Sequence, residues 1–145
     1  MSRRNNRPWQ VITLSVGLLL AGSCAKSAGP TTYPVTGVIT RKGAPVEGAL
    51  VVFLPLSEEK SVLASQDITD REGRFVMRTH QGKEQYKDGM QPGDYGVTVT
   101  KLEVVSDMSR PPRNLLPKQY SSVTTSKLRA TVQPSKENDF PFVLD

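Results

Sequence analysis

Few residues of this chain could do chemistry, and the most suggestive of them form an acidic cluster. Asp67, Asp70 and Glu72 lie within the stretch D-I-T-D-R-E-G. Carboxylates this close together can ligate calcium, but the spacing lacks the alternating Asp/Asn and glycine pattern of a calcium-binding loop. Asp70 and Gly73 are typical of a tight turn, because Asp bonds the backbone two residues on and Gly accepts a positive φ. The cluster therefore predicts a turn, with a calcium site as the alternative.

The remaining candidates for catalysis or metal binding stand alone. His80 is the single histidine and Cys24 the single cysteine, which is too few for a zinc ligand set. Serine and threonine are plentiful, but the sequence pairs none of them with a base. Neither a G-x-G-x-x-G nor a Walker spacing occurs. The sequence predicts no catalytic residue, no cofactor and no metal, with His80 as a surface residue.

The N-terminus has the order of a secretory signal peptide. Arg3, Arg4 and Arg7 precede an apolar run at 11–20, and small residues follow at 21–23. A basic region, an apolar region and a small-residue cleavage site are the three parts of such a signal. Residues 1–23 are therefore predicted to be a signal peptide. A retained membrane anchor is the alternative, because the uncharged run at 8–25 approaches the roughly 20 residues that a spanning helix needs.

Cys24 directly follows this predicted signal. The segment L-A-G-S-C at 20–24 resembles the lipobox of bacterial lipoproteins, although Leu20 stands one position further from the cysteine than usual. The resemblance implies cleavage before Cys24 and lipidation of Cys24, which would give stable membrane anchoring. We expect an exported protein that is lipid-anchored in a cell-envelope membrane. Ordinary signal-peptidase cleavage, giving a secreted or periplasmic product, is the alternative.

Removing the predicted signal changes the charge of the protein. Residues 1–23 carry three Arg and no acidic residue, so the formal net charge falls from +5 to +2. The remaining basic residues are scattered, and nucleic acid is therefore not an expected partner. Residues 24–32 are small and polar with Gly and Pro, which predicts a flexible tether or a plain disordered N-terminus.

The rest of the chain predicts short β-strands joined by turns. The arms Leu63–Thr69 and Arg74–Thr79 flank the acidic turn and predict a β-hairpin, with Phe75 and Met77 facing inward. Turn signals recur along the chain, and no convincing amphipathic helix appears. The pattern predicts an all-β fold, a seven-stranded antiparallel Greek-key sandwich, with strands at 33–40, 49–54, 63–69, 74–79, 93–100, 128–132 and 139–144. Its core is expected to contain Phe53, Phe75, Val97, Val99 and Phe140.

Three segments, taken in this order, carry a resemblance to a known family. They are V-T-G-V-I-T-R-K-G-A-P-V-E-G-A-L-V-V-F at 35–53, T-D-R-E-G-R-F at 69–75 and P-G-D-Y-G-V-T-V at 92–99. They resemble the carboxypeptidase regulatory-like domain, although Met90 replaces the usual Leu. The resemblance spans residues 33–145, and the segment at 115–132 with the tail N-D-F-P-F-V-L is similar to a bacterial lipoprotein subset. It implies a transthyretin-like β-sandwich of mostly accessory function.

The resemblance favours a binding or structural module over an enzyme. Related transthyretin-like hydroxyisourate hydrolases use histidine and arginine and end in Tyr-Arg-Gly-Ser, whereas this chain has one histidine and ends in Phe-Val-Leu-Asp. We expect a non-catalytic module whose partner is an envelope protein or a glycan. A carbohydrate-binding accessory domain, or a secreted enzyme-associated module, is the alternative.

Binding residues are expected on loops, because packing constrains the strands. Two connections, at 80–92 and 102–125, are longer than hairpins need. For the second, the alternative is that its apolar residues cover an open sheet edge. The candidate binding residues are Tyr86 in the first loop and Arg110, Arg113 and Tyr120 in the second.

Overall fold

The strands of the chain form two sheets, so the predicted all-β sandwich class is confirmed. The computed structural model describes residues 29–82, 85–106, 109–134 and 136–145. The predicted signal peptide and Cys24 lie outside the described residues. The strands are β1 Val35–Arg41, β2 Ala44–Pro45, β3 Leu50–Pro55, β4 Ser65–Ile68, β5 Arg74–Val76, β6 Arg78–His80, β7 Tyr86–Asp88, β8 Gly93–Thr100, β9 Leu128–Val132 and β10 Asn138–Leu144.

One sheet has six strands and the other is built around β1. The six-stranded sheet has the order β7-β6-β4-β3-β8-β9, and its pairs are antiparallel. In the second sheet, β10 lies on one side of β1, while β2 and β5 lie on the other.

The pairing of β1 with β10 is parallel, which differs from the antiparallel sandwich expected from the sequence. The side chain of Asn138 lies where both strands begin. Its amide donates to the Pro34 carbonyl at 3.2 Å, and its Oδ1 accepts the Gln133 amide N–H at 2.8 Å. Asn138 thereby bonds the first residue of β10 to the residue that precedes β1.

The predicted hairpin at 63–79 divides between the two sheets at Met77. β6 pairs with β4, as a hairpin arm would, but β5 leaves to pair with β1. Asp70 Oδ1 accepts the N–H groups of Glu72 at 3.0 Å and Arg74 at 2.8 Å, and Asp67 Oδ2 accepts the N–H of Val76 at 2.8 Å. These carboxylates therefore hold a turn whose second arm links the two sheets.

The core lies between the inward faces of the sheets. Phe53 is at its centre, with ring centroids 5.9 Å from those of Phe75 and Phe140 and 6.2 Å from that of Tyr95. The inward alternation of Phe75 and Met77 is confirmed, and so is the burial of Phe53, Val97 and Val99. Phe140 is half-buried rather than buried, although Phe142 and Leu144 of the same strand are buried.

The connection at 102–125 is more structured than expected. Leu102 pairs with Asn114 as an isolated bridge, and a 3-10 helix, Lys118–Ser121, precedes a single helical turn, α1 Val123–Ser126. Ser126 Oγ donates to the Val97 carbonyl at 2.6 Å. α1 therefore lies against β8 near Gly96 and Val97, where a Cβ at Gly96 would meet the Val123 side chain. Neither helix in the described part of the chain has the length and apolar character needed to cross a membrane.

Candidate functional site: a groove on the six-stranded sheet

Four polar or aromatic side chains lie together on the outer face of β4, β6 and β7. The strand register pairs Gln66 with Arg78, and His80 with Tyr86. Successive strand residues point to opposite faces, and the inward neighbours are fixed by the bond between Ser65 Oγ and Thr79 Oγ1, which lie 2.8 Å apart in the core. The alternation therefore directs Gln66, Arg78, His80 and Tyr86 outward.

These side chains line two adjoining cavities. The first has a volume of about 300 Å³, and Val52 and Ala64 contribute to its wall. The second has a volume of about 380 Å³ and extends to Leu50, Asp67 and Ile68. Gln66, Arg78 and Tyr86 belong to both cavities. We refer to the two cavities together as the outer groove.

Tyr86 lies on β7 rather than in the loop that the sequence predicted at 80–92, and it gives the outer groove an exposed ring. Its side chain is 66% exposed. The His80 ring centroid lies 5.0 Å from that of Tyr86, and Arg78 Cζ lies 6.0 Å from the Tyr86 centroid. Within the described residues, the side chains of Gln66, Arg78 and His80 make no hydrogen bond or ion pair. Their hydrogen-bonding groups therefore face solvent beside an accessible aromatic ring.

Arg110 and Arg113 come together at a different place, around Glu103. The Arg110 guanidinium pairs with Glu103 Oε1, and Arg113 Nε lies 3.7 Å from the same oxygen. Glu103 Oε1 also accepts the Arg113 backbone N–H at 3.1 Å. The hydrogen bond from Arg110, followed by that from the Arg113 backbone, lowers the pKa of Glu103 below its usual value. We call these three residues the Glu103 clasp.

Tyr120 is a packing residue, which corrects its prediction as a binding-loop residue. Its side chain is 4% exposed and belongs to the core. Its hydroxyl oxygen accepts the Asp145 backbone N–H at 3.0 Å. Tyr120 therefore packs this part of the loop onto the core, and its side chain is not available to a partner.

The site also contains residues that the sequence reasoning missed. Gln66 and Arg78 of the outer groove were not among the candidates, and neither was Glu103. The outward positions of β4 and β6 carry a sequence signal, since they alternate with buried residues. In the described ranges there is no group of three or more His, Cys, Asp or Glu side chains arranged to hold a metal ion.

Comparisons with known proteins give no family for this chain. No protein-family model matches it, and no curated protein matches it in sequence. Among solved structures it is similar to a 9R-lipoxygenase from Cyanothece PCC8801, with a TM-score of 0.38 and 16% sequence identity over 78% of this chain. The chain spans 16% of the length of that lipoxygenase.

Proposed function

We propose that this chain is an exported lipoprotein, anchored in a cell-envelope membrane through Cys24, whose carboxypeptidase regulatory-like β-sandwich is a non-catalytic binding or structural module. The support comes from the lipobox-like segment and from where the sandwich begins. Lys87 Nζ donates to the Pro30 carbonyl at 2.6 Å, and Thr32 Oγ1 donates to the Asp88 carbonyl at 2.7 Å. The chain is thus attached to the sandwich from Pro30 onward, six residues after Cys24.

The N-terminal segment and the Glu103 clasp lie at opposite ends of β8. The N-terminal segment meets the sandwich where Tyr33 pairs with Met90, just before β8 begins. The Glu103 clasp follows the opposite end of β8, beyond Thr100. In the proposed lipoprotein the clasp therefore points away from the membrane, where it would meet an envelope partner.

Lipidation is tested by labelling cells with an alkyne fatty acid and comparing the native chain with Cys24→Ser. We expect label on the native chain, and we expect Cys24→Ser to lose both the label and cleavage after residue 23. Ser23→Ala is the matched control and should keep the label. Equal labelling of the native chain and Cys24→Ser would overturn the proposal. Absence of label from a soluble, cleaved native chain would identify ordinary signal-peptidase processing instead.

A carbohydrate-binding accessory domain is the second candidate function, and the outer groove favours it. Exposed aromatic side chains pack well against the apolar faces of sugars, and nearby polar groups fix orientation in ligand sites. Tyr86 supplies such a ring with Gln66, Arg78 and His80 around it. This candidate is compatible with the membrane anchor, since it specifies what the module binds.

A further inference from the structure

We propose that the outer groove binds neutral saccharides, with a pyranose ring packed on Tyr86 and its hydroxyl groups bonded to Gln66 and Arg78. This inference deepens the proposed binding function and rests on it. The accessible Tyr86 ring gives the ligand an apolar surface, and the cavities on either side of the shared residues give it space.

The hydrogen-bonding groups of the outer groove match sugar hydroxyls, which both donate and accept. Arg78 offers donors only, whereas the Gln66 amide offers both donors and an acceptor. A ligand with closely spaced hydroxyls can therefore form hydrogen bonds with both side chains.

The charges around the outer groove disfavour an anionic ligand. Arg78 is the permanent cation of the groove, and Asp67 lines the same cavity. Asp88 lies two residues after Tyr86 on β7 and is also exposed. The Asp67 carboxylate partly offsets the charge of Arg78 and so weakens the attraction of the groove for a phosphate, a sulfate or a uronate. The apolar wall from Leu50 and Val52 also offers contact area that a small anion cannot use.

Affinity electrophoresis of the full chain tests this ligand class. The gels contain one neutral polysaccharide each (soluble starch, xylan, galactomannan, laminarin or hydroxyethylcellulose), and alginate and polygalacturonate gels serve as the acidic arm. We expect at least one neutral polysaccharide to slow the native chain. Tyr86→Ala and Arg78→Ala should each weaken that retardation by about tenfold or more. Tyr86→Phe should retain most of it, because the ring remains.

Arg74→Ala is the matched control for Arg78→Ala. Arg74 lies four residues earlier and is also exposed, but it is on β5 of the other sheet. Arg74→Ala removes the same positive charge as Arg78→Ala and should leave the retardation by neutral polysaccharides unchanged. The measurements are made on the native chain and repeated on Cys24→Ser, so a failure of lipidation and a failure of the groove are separate results.

Three outcomes would overturn the saccharide proposal. The first is that none of the neutral polysaccharides slows the native chain. The second is retardation that survives both Tyr86→Ala and Arg78→Ala, which would place binding elsewhere. The third is retardation confined to alginate and polygalacturonate and abolished by Arg78→Ala, which would make the groove an anion site. Circular dichroism of each variant shows that a lost interaction does not reflect unfolding.

Discussion

Replacing Phe75 with alanine should lower the free energy of unfolding by about 3–5 kcal/mol. Phe75 is 1% exposed, and its ring centroid lies 5.9 Å from that of Phe53 and 6.5 Å from that of Phe142. Its Cζ lies over Gly37, where a Cβ would come within 2.3 Å of it. Since Gly37 has no side chain to move into the vacated space, the cavity should persist. We therefore expect a loss near the upper end of the range.

Urea denaturation monitored by circular dichroism measures this loss. With a slope of about 2 kcal/mol per molar urea, typical for a small domain, the midpoint should fall by about 2.5 M. Val76→Ala is the control, because Val76 is the next residue on β5 and is 56% exposed. Its effect should stay within about 0.5 kcal/mol. A Phe75→Ala midpoint that matched the Val76→Ala midpoint would refute the placement of Phe75 between the sheets.

Two further predictions concern Gly37 and Glu103. Gly37→Ala should destabilise the protein even when it is combined with Phe75→Leu, because the new Cβ would lie 2.3 Å from the backbone oxygen of Phe140. Equal urea midpoints for Phe75→Leu and the double variant would contradict this prediction. The lowered pKa of Glu103 means that its contribution to loop stability is complete above the usual glutamate pKa and is lost only as the pH falls through the lowered value. The backbone ¹⁵N–¹H signal of Arg113, whose N–H donates to Glu103, should therefore shift with a titration midpoint below the usual glutamate pKa. This titration should disappear in Glu103→Gln. A titration midpoint at or above the usual glutamate pKa would count against the clasp.

The inward faces of the strands could be predicted from the sequence because they depend on local geometry. Successive side chains of a strand point to opposite faces whatever the strand pairs with. Phe75 and Met77 are buried, and so are Val97 and Val99. The turn at Asp70 was predictable for the same reason, since its hydrogen bonds reach only as far as Glu72 and Arg74.

The choice of partner strands was not predictable, because it depends on contacts between distant parts of the chain. β1 and β10 pair although about 100 positions separate Val35 from its partner Asn138. The division of the hairpin at Met77 likewise depends on the pairing of β5 with β1, which is distant in sequence. Phe140 is only half-buried, whereas Phe142 on the same strand and the same face is buried. Alternation alone carries none of this information.

The candidate site was predictable only in part, for the same reason. Tyr86 was identified because a tyrosine within a polar segment has few ways to be buried. Gln66 and Arg78 join it only when β4, β6 and β7 pair side by side. Arg110 and Arg113 were identified by charge. Their shared partner Glu103 lies 7 and 10 residues earlier, near the start of the same connection. Tyr120 shows that a tyrosine in a long connection can also belong to the core.

The attachment of the N-terminal segment bears directly on what the outer groove could meet. Pro30 and Thr32 are bonded to Lys87 and Asp88, which follow Tyr86 on β7. Six extended residues from a lipidated Cys24 would reach at most about 20 Å. In the proposed lipoprotein the groove would therefore stay close to the membrane surface, while the Glu103 clasp would lie at the far end of the sandwich. This geometry favours saccharides carried at or near the membrane as ligands of the groove, and it leaves the clasp for partners that approach from the other side.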